Sequence, residues 1–118
     1  MHNFKKLSVW QNSIDLALNI YDLTDHFPKE EKFGLSMQMR RACVSIPSNI
    51  AEGAGRQTNG EFRHFIGIAQ GSCFELETQL ILAHRRSYIE QQQFILISEQ
   101  LSGIQKQNYK LSNTLKIK

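Results

Sequence analysis

Hydrophobic residues recur along most of this chain at spacings of three and four, the spacing of one face of an α-helix. The segment 33–56 shows this pattern most clearly, and between residues 34 and 55 its only charged residues are Arg40, Arg41 and Glu52. So little charge on any side is typical of a helix that is covered on more than one side. In a chain of 118 residues we expect another subunit to supply the additional cover. The main apolar stripe consists of Leu35, Met39, Ala42, Ile46 and Ile50.

Three further segments show helical periodicity, so the sequence predicts four helices. The first ends before Pro28, and the third runs from about residue 61 to 86. Gly67 and Gly71 lie opposite the stripe of the third helix, and because glycine costs a helix up to about 1 kcal/mol, they indicate close backbone approach. The stripe of the first helix is Trp10, Ile14, Ala17, Tyr21, Thr24 and Phe27; that of the third is Phe62, Ile66, Ala69, Cys73, Leu76, Leu80 and Ala83; and that of the fourth is Phe94, Ile97, Leu101, Ile104, Asn108, Leu111 and Leu115.

Short links between these helices predict an all-α fold, an antiparallel up-down-up-down four-helix bundle that forms one domain over residues 1–118. No apolar run approaches the roughly 20 residues that cross a bilayer, and the first residues lack a secretory apolar segment. We therefore expect a cytoplasmic protein with no membrane partner. Cys43 and Cys73 stand far apart and outside any CxxC motif, which favours two buried, reduced thiols over a disulfide.

The sequence resembles the bacterial four helix bundle protein family, which includes the ribosomal-protein-like products of intervening sequences in large-subunit ribosomal RNA genes. The matching segments are LSVWQNSIDLALNIYDLT, FPKEEKFGLSMQMRRACVSIPSNIAEGAGR and EFRHFIGIAQGSCFELETQL, nearly the whole chain. The accessory variability protein of diversity-generating retroelements is a more distant relative. The resemblance implies a four-helix protomer, a homopentameric ring and association with RNA or DNA.

The arginine pair allows two interpretations. If the turn between the second and third helices centres near residues 58–59, residue i of the second helix lies at the same height along the bundle as residue 117 − i of the third. Arg40 and Arg41 then lie near Glu75 and Glu77, which favours a partly buried ion-pair cluster that fixes helix register or subunit geometry. Alternatively, one arginine faces the lumen of a ring and meets phosphate.

Charge is distributed unevenly along the predicted bundle. Both termini and the second turn share one end, where seven basic residues face only Glu52 and Glu61, a net charge of +5 against +3 for the whole chain. This is either a set of solvated lysines or an electrostatic footprint for nucleic acid. The basic residues are Lys5, Lys6, Arg56, Arg63, Lys110, Lys116 and Lys118.

Nothing in the sequence indicates catalysis, a cofactor or a metal. Glu61 and His64 form one Glu-x-x-His pair, but a di-iron bundle needs a second pair and two further carboxylates. The glycine-rich segment 53–60 lacks the Walker spacing and its lysine. We therefore expect a protein that is not an enzyme. The family resemblance implies a ring, and together with the basic end it implies binding of nucleic acid, RNA in preference, through backbone phosphates. The alternative is a scaffold or accessory subunit that binds another protein.

Overall fold

The computed structural model describes residues 2–116 and contains four α-helices: α1 (Ser8–Thr24), α2 (Leu35–Ala54), α3 (Asn59–Arg85) and α4 (Gln91–Thr114). Short 3₁₀ turns at Phe4–Lys6 and Lys29–Glu31 precede α1 and α2. No β-strand occurs in the described part of the chain. The expectation of an all-α fold with four helices is therefore confirmed.

The helices form a closed antiparallel bundle, since each packs on its neighbours in the chain and α1 also packs on α4. Asn12 and Asn19 of α1 donate to Gln107 and Gln100 of α4, so chain numbers rise on one helix as they fall on the other. Between α2 and α3, Ser72 Oγ donates to Ser45 Oγ over 2.8 Å. The residue numbers 45 and 72 add up to 117, which is the sum predicted for two residues at the same height on α2 and α3.

The predicted stripes of α2, α3 and α4 form most of the core. Every residue of the α3 stripe is buried, and the α4 stripe is buried at four positions between residues 97 and 108. Burying such apolar surface is the main favourable contribution to folding. Asn108 is fully buried within this seam and donates to Gln70 Oε1 over 3.1 Å, while its own Oδ1 has no partner among the described residues.

The predicted stripe of the first helix is correct at three of its six positions. Ala17, Thr24 and Phe27 are buried, whereas Tyr21 is exposed. The other buried hydrophobic residues of α1 are Val9, Leu16, Ile20 and Leu23, which the prediction did not include. Trp10 and Ile14 instead line a groove between α1 and α2. Both sides of α1 carry apolar residues, so periodicity alone could not decide which side faces the core of the bundle.

Glycine has different roles at two places. Gly53, in the last turn of α2, is buried, and a Cβ there would lie 2.8 Å from Phe65 Cβ and 2.9 Å from Phe62 Cδ1. It allows the end of α2 to approach α3 closely. At Gly67 and Gly71 a Cβ would meet no atom within 4 Å, so the predicted close backbone approach does not occur among residues 2–116.

Candidate nucleic-acid interface

The basic residues singled out in the sequence collect at one end of the bundle, as far as the structure describes them. The His2 N–H donates to the Ala54 carbonyl over 2.9 Å and so fastens the N-terminal segment to the end of α2. The start of α3 and the end of α4 lie at the same end because the helices are antiparallel. Lys118 falls outside the described residues. The remaining six are Lys5, Lys6, Arg56, Arg63, Lys110 and Lys116.

The lysines and arginines of this end differ in availability. Lys5, Lys6, Lys110 and Lys116 are exposed and have no ion-pair partner among residues 2–116. A surface lysine without a carboxylate partner keeps its charge free for a phosphate.

The two arginines are engaged within the protein. Arg56 Nη2 donates to Glu52 Oε1 over 2.7 Å, and its guanidinium lies 4.7 Å from the ring centroid of Phe65. Arg63 is half-buried, and its Nε is shielded from solvent with no acceptor in the described part of the chain. Both side chains therefore contribute to packing of α3 as well as to charge.

A groove beside this end combines aromatic surface with positive charge. It lies between α3 and α4, has a volume of about 360 Å³, and is lined by Phe74, Lys106, Tyr109 and Lys110 together with two glutamines. Tyr109 is 67% exposed and Phe74 is 54% exposed. Exposed aromatic rings beside lysines are the arrangement on which bases of single-stranded nucleic acid stack.

This groove was not predicted from the sequence, because Phe74 and Tyr109 belong to no core stripe. Their positions opposite the stripes of α3 and α4 were the available signal. Single exposed hydrophobic residues are common, but neighbouring ones such as Phe74 and Tyr109 form an apolar patch of the kind that marks a contact surface.

The predicted ion-pair cluster does not form within the chain. Arg40 Nη2 donates to Asp25 Oδ1 over 2.7 Å and Arg40 Nε donates to Thr24 Oγ1 over 2.8 Å, so this arginine binds the end of α1. Arg41 is exposed and pairs with no carboxylate among residues 2–116.

The two glutamates of that predicted cluster do not pair with the arginines either. Glu77 accepts from Gln105 Nε2 of α4 over 2.9 Å, and Glu75 is exposed. The prediction that residues i of α2 and 117 − i of α3 share the same height along the bundle is correct, as Ser45 and Ser72 show. Arg40, however, lies on the side of α2 that faces α1. An ion pair of Arg41 with a carboxylate of another subunit, or its contact with phosphate in a lumen, stays a prediction.

The two thiols are buried and chemically quiet. Burial raises the pKa of Cys43 to about 11, an effect that the charge of Arg40 only partly offsets. Burial and the nearby Glu77 raise the pKa of Cys73 to about 12, against a small opposing effect of its hydrogen bond with Asn108. Both are therefore protonated near neutral pH and poor nucleophiles.

Among residues 2–116, no group of three or more histidine, cysteine, aspartate or glutamate side chains is arranged to hold a metal ion. None of the described helices combines the length and the apolar character needed to cross a membrane.

The fold and the basic end define a four-helix bundle protein with a charged, partly aromatic surface, and comparison with known proteins gives its family. The profile of the 23S rRNA-intervening sequence protein family matches residues 5–110. The chain belongs to this family, which confirms the resemblance found in its sequence. No curated protein matches the chain.

A solved structure supports the same assignment. It is a protein of unknown function from the S23 ribosomal protein family of Bacteroides thetaiotaomicron. The two chains are 28% identical and superpose with a TM-score of 0.82 over 88% of this chain and 97% of the other. The similarity thus extends over the whole bundle.

Proposed function

We propose that this protein is a cytoplasmic, non-catalytic bundle that assembles into a homopentameric ring and binds RNA through backbone phosphates. The observation that carries the proposal is the set of exposed, unpaired lysines at one end, next to the groove that holds Tyr109 and Phe74. The family description, which refers to an intervening sequence of 23S rRNA, favours RNA over DNA.

Assembly is supported by two helix surfaces that residues 2–116 leave partly exposed. The outer side of α2 carries Val44, which is 40% exposed and lines the groove beside Trp10 and Ile14 of α1. The outer side of α3 carries Gly67, Gly71 and Leu82. A closed ring uses two different patches on every subunit, one for each neighbour, and these two surfaces meet that requirement.

A ring would multiply the weak electrostatic contacts of each subunit. In a cyclic assembly every basic end points the same way, so the lysines repeat on one face of the ring. Several weak phosphate contacts then act together, and no single residue needs to dominate binding.

The first test measures affinity for a single-stranded RNA over a range of salt concentrations. Each phosphate contact on a single strand contributes about 0.7 to the slope of log affinity against log salt. Replacing Lys5, Lys6, Lys110 and Lys116 together by glutamine should weaken binding to RNA of any sequence and flatten this slope. Arg85→Gln, at the opposite end, is the control and should have much less effect. Salt-insensitive binding, or an equal loss per charge at Arg85, contradicts the proposed interface.

The groove is tested separately, because stacking is less sensitive to salt than ion pairing. Tyr109→Ala should weaken RNA binding by about 1–3 kcal/mol without altering the fold, since the ring is mostly exposed. Leu96→Ala removes a similarly exposed side chain of α4 that lies outside the groove and serves as the control.

The ring itself is tested by native mass spectrometry, which should give five times the mass of the 13.6 kDa chain.

A second candidate function is a protein-interaction scaffold without nucleic-acid contact. A groove of about 290 Å³ between α1 and α4 supports it, because Leu96 is 56% exposed there and lies beside polar residues such as Asn19 and Gln100. Binding of a protein in this groove should respond weakly to salt and be lost in Leu96→Gln. That outcome, with no affinity for RNA, would favour the scaffold.

A further inference from the structure

The seam between α1 and α4 carries paired amide side chains at a regular interval. Asn12 Nδ2 donates to Gln107 Oε1 over 3.0 Å, and Asn19 Nδ2 donates to Gln100 Oε1 over 3.0 Å. The two pairs, here called the amide rungs, are seven residues apart on both helices. At about 1.5 Å per residue, this interval is about 10.5 Å along the bundle.

Each amide rung leaves one acceptor and one donor free. Neither asparagine Oδ1 has a donor, and neither glutamine Nε2 has an acceptor, among residues 2–116. Both asparagines are exposed and both glutamines are half-buried, so a ligand outside the bundle reaches these groups. An acceptor beside a donor is the complement of the N–H and C=O groups of a peptide backbone.

Two grooves follow this seam, and Gln100 lines both of them. The first has a volume of about 290 Å³ and exposes Leu96 beside the buried Leu23 and Ile97, a surface suited to an apolar side chain. The second has a volume of about 360 Å³ and extends between the two amide rungs, where Gly103 is part of its lining.

Gly103 keeps the second groove open without serving the packing of the described chain. It is exposed within α4, and a Cβ there would meet no atom within 4 Å. Glycine lowers the stability of a helix relative to alanine, and no neighbour among residues 2–116 requires it here. Its position therefore indicates that the backbone of a ligand approaches α4 closely between the rungs.

The charged residues that line the grooves are acidic. Asp22 lines the first groove and Glu99 the second, and neither has an ion-pair partner among residues 2–116. No described lysine or arginine lines either groove, and the remaining titratable residue is His26. Free carboxylates repel the backbone of a nucleic acid and attract lysine or arginine side chains. Such exposed charges select the sign of a partner more than they set its affinity.

The interval between the rungs selects the conformation of a bound backbone. In a β-strand, backbone groups on one side recur every two residues, about 6.8 Å apart, so they do not meet both rungs. A polyproline II helix repeats every three residues over about 9.3 Å, which differs from the interval by only about 1.2 Å. Its backbone groups form no internal hydrogen bonds and are free to pair with the amides.

We propose that the seam between α1 and α4 binds a basic peptide segment in the polyproline II conformation. The peptide backbone pairs with both amide rungs, an apolar side chain packs on Leu96, and cationic side chains lie near Asp22 and Glu99. This peptide site rests on the second candidate function and specifies its partner. RNA still has the basic end, whose residues line neither groove.

The test titrates the protein into a fluorescein-labelled peptide of three Lys-Pro-Leu repeats and follows the fluorescence anisotropy. This peptide should bind saturably, and one of three Glu-Pro-Leu repeats should bind much more weakly. Asn19→Ala and Gln100→Ala should each weaken binding by about threefold to tenfold, the value of one hydrogen bond. Gln57→Ala removes an exposed amide from the turn between α2 and α3, so it should leave the dissociation constant unchanged.

Gly103→Leu separates binding from folding. Leucine has the higher helix propensity and the added Cβ meets no described atom within 4 Å, so the midpoint of urea unfolding should rise. The leucine side chain would occupy the groove, so affinity for the peptide should fall by about tenfold or more. A variant that gains stability but keeps its affinity would show that the peptide does not use this groove.

Methylation of the peptide backbone tests the repeat of three residues. Each methylated nitrogen loses one N–H group, and affinity should fall when the nitrogens of either the lysines or the leucines are methylated, but not both. Positions of each kind recur every three residues, the repeat that meets the rungs. Equal losses at lysines and leucines would contradict the proposed docking.

Three further results would overturn the proposal. The first is the absence of saturable binding up to about 1 mM peptide. The second is binding that neither Asn19→Ala nor Gln100→Ala weakens. The third is self-association that Leu96→Gln abolishes, without affinity for the peptide, which would assign the seam to a second copy of the chain.

The proposed functions are measured separately from this peptide. RNA affinity is tested with the lysine variants of the basic end, and docking of a folded protein is tested with Leu96→Gln alone. Either function stands or falls without the amide rungs, whereas the peptide site requires Asn19 and Gln100.

Discussion

Both faces of α3 carry small and apolar residues, but these residues have different surroundings. On the inner face, Ala69, Cys73 and Leu76 are fully buried against the other helices. On the outer face, Gly67 and Gly71 have open space where a side chain would project, and Leu82 is 51% exposed. The inner face thus has its partner within the chain, whereas the outer face has none among the described residues. This contrast shows that low polarity alone does not identify which face of a helix belongs to the core.

The largest effect is expected where α2 meets the inner face. Gly53→Ala would bring a methyl group within 3 Å of Phe62 and Phe65, and within 3.2 Å of the Phe62 carbonyl oxygen. Overpacking of this kind costs about 1–3 kcal/mol, and the backbone contact favours the upper part of that range. Urea unfolding of the variant, compared with Gly55→Ala, measures the loss. A Cβ at Gly55 has no atom closer than 3.6 Å, so that control should change little.

The second prediction compares thiols on the two faces. At pH 8, Cys73 is protonated because its pKa is raised to about 12, whereas a cysteine introduced by Thr78→Cys on the exposed face should titrate near the ordinary value of about 8.5. In the dissociated but folded subunit, the introduced thiol should react with iodoacetamide at least about 100-fold faster than Cys73.

The same variant reports on assembly. If the outer face is a subunit interface, the introduced thiol should be protected at concentrations that favour the ring and exposed on dilution. Raising the pH to 10 should accelerate its reaction but leave Cys73 protonated, because the pKa of Cys73 lies higher still. Rapid reaction of Cys73 in the folded protein would show that the reagent reaches the inner face of α3.

The smallest effect is expected at the outer glycines, and its sign differs from that at Gly53. Gly67→Ala and Gly71→Ala meet no atom within 4 Å and should stabilise an isolated subunit by up to about 1 kcal/mol each, because alanine has the higher helix propensity. If another subunit approaches this face, the same changes should weaken assembly. Urea unfolding and native mass spectrometry separate the two effects. A variant that gains stability and keeps its oligomeric state would place the interface elsewhere.

The basic end was predictable because topology follows from link length. Once four periodic segments with short links are recognised, the end to which each charge belongs is fixed by its position along the chain. Which cations are free was not predictable. The ion pair of Arg56 with Glu52 and the enclosure of Arg63 Nε depend on rotamers and neighbouring helices. The four exposed lysines therefore replace the two arginines as the most informative positions to change.

The sequence by itself determined the number of helices, their antiparallel order and the inner stripes of three of them. It also determined that Ser45 and Ser72 lie at the same height along the bundle. These properties are local, because they follow from a period of 3.6 residues and from the length of the links.

Only the tertiary structure decided how α1 is rotated, where Arg40 finds its partner and which glycine allows close approach. Both sides of α1 are apolar, Arg40 binds Asp25 on the side facing α1, and Gly53 rather than Gly67 has a neighbour within the chain. Each of these depends on the angular position of one helix against another. That position is set by the fit of side chains across an interface, which the order of residues along one helix does not contain.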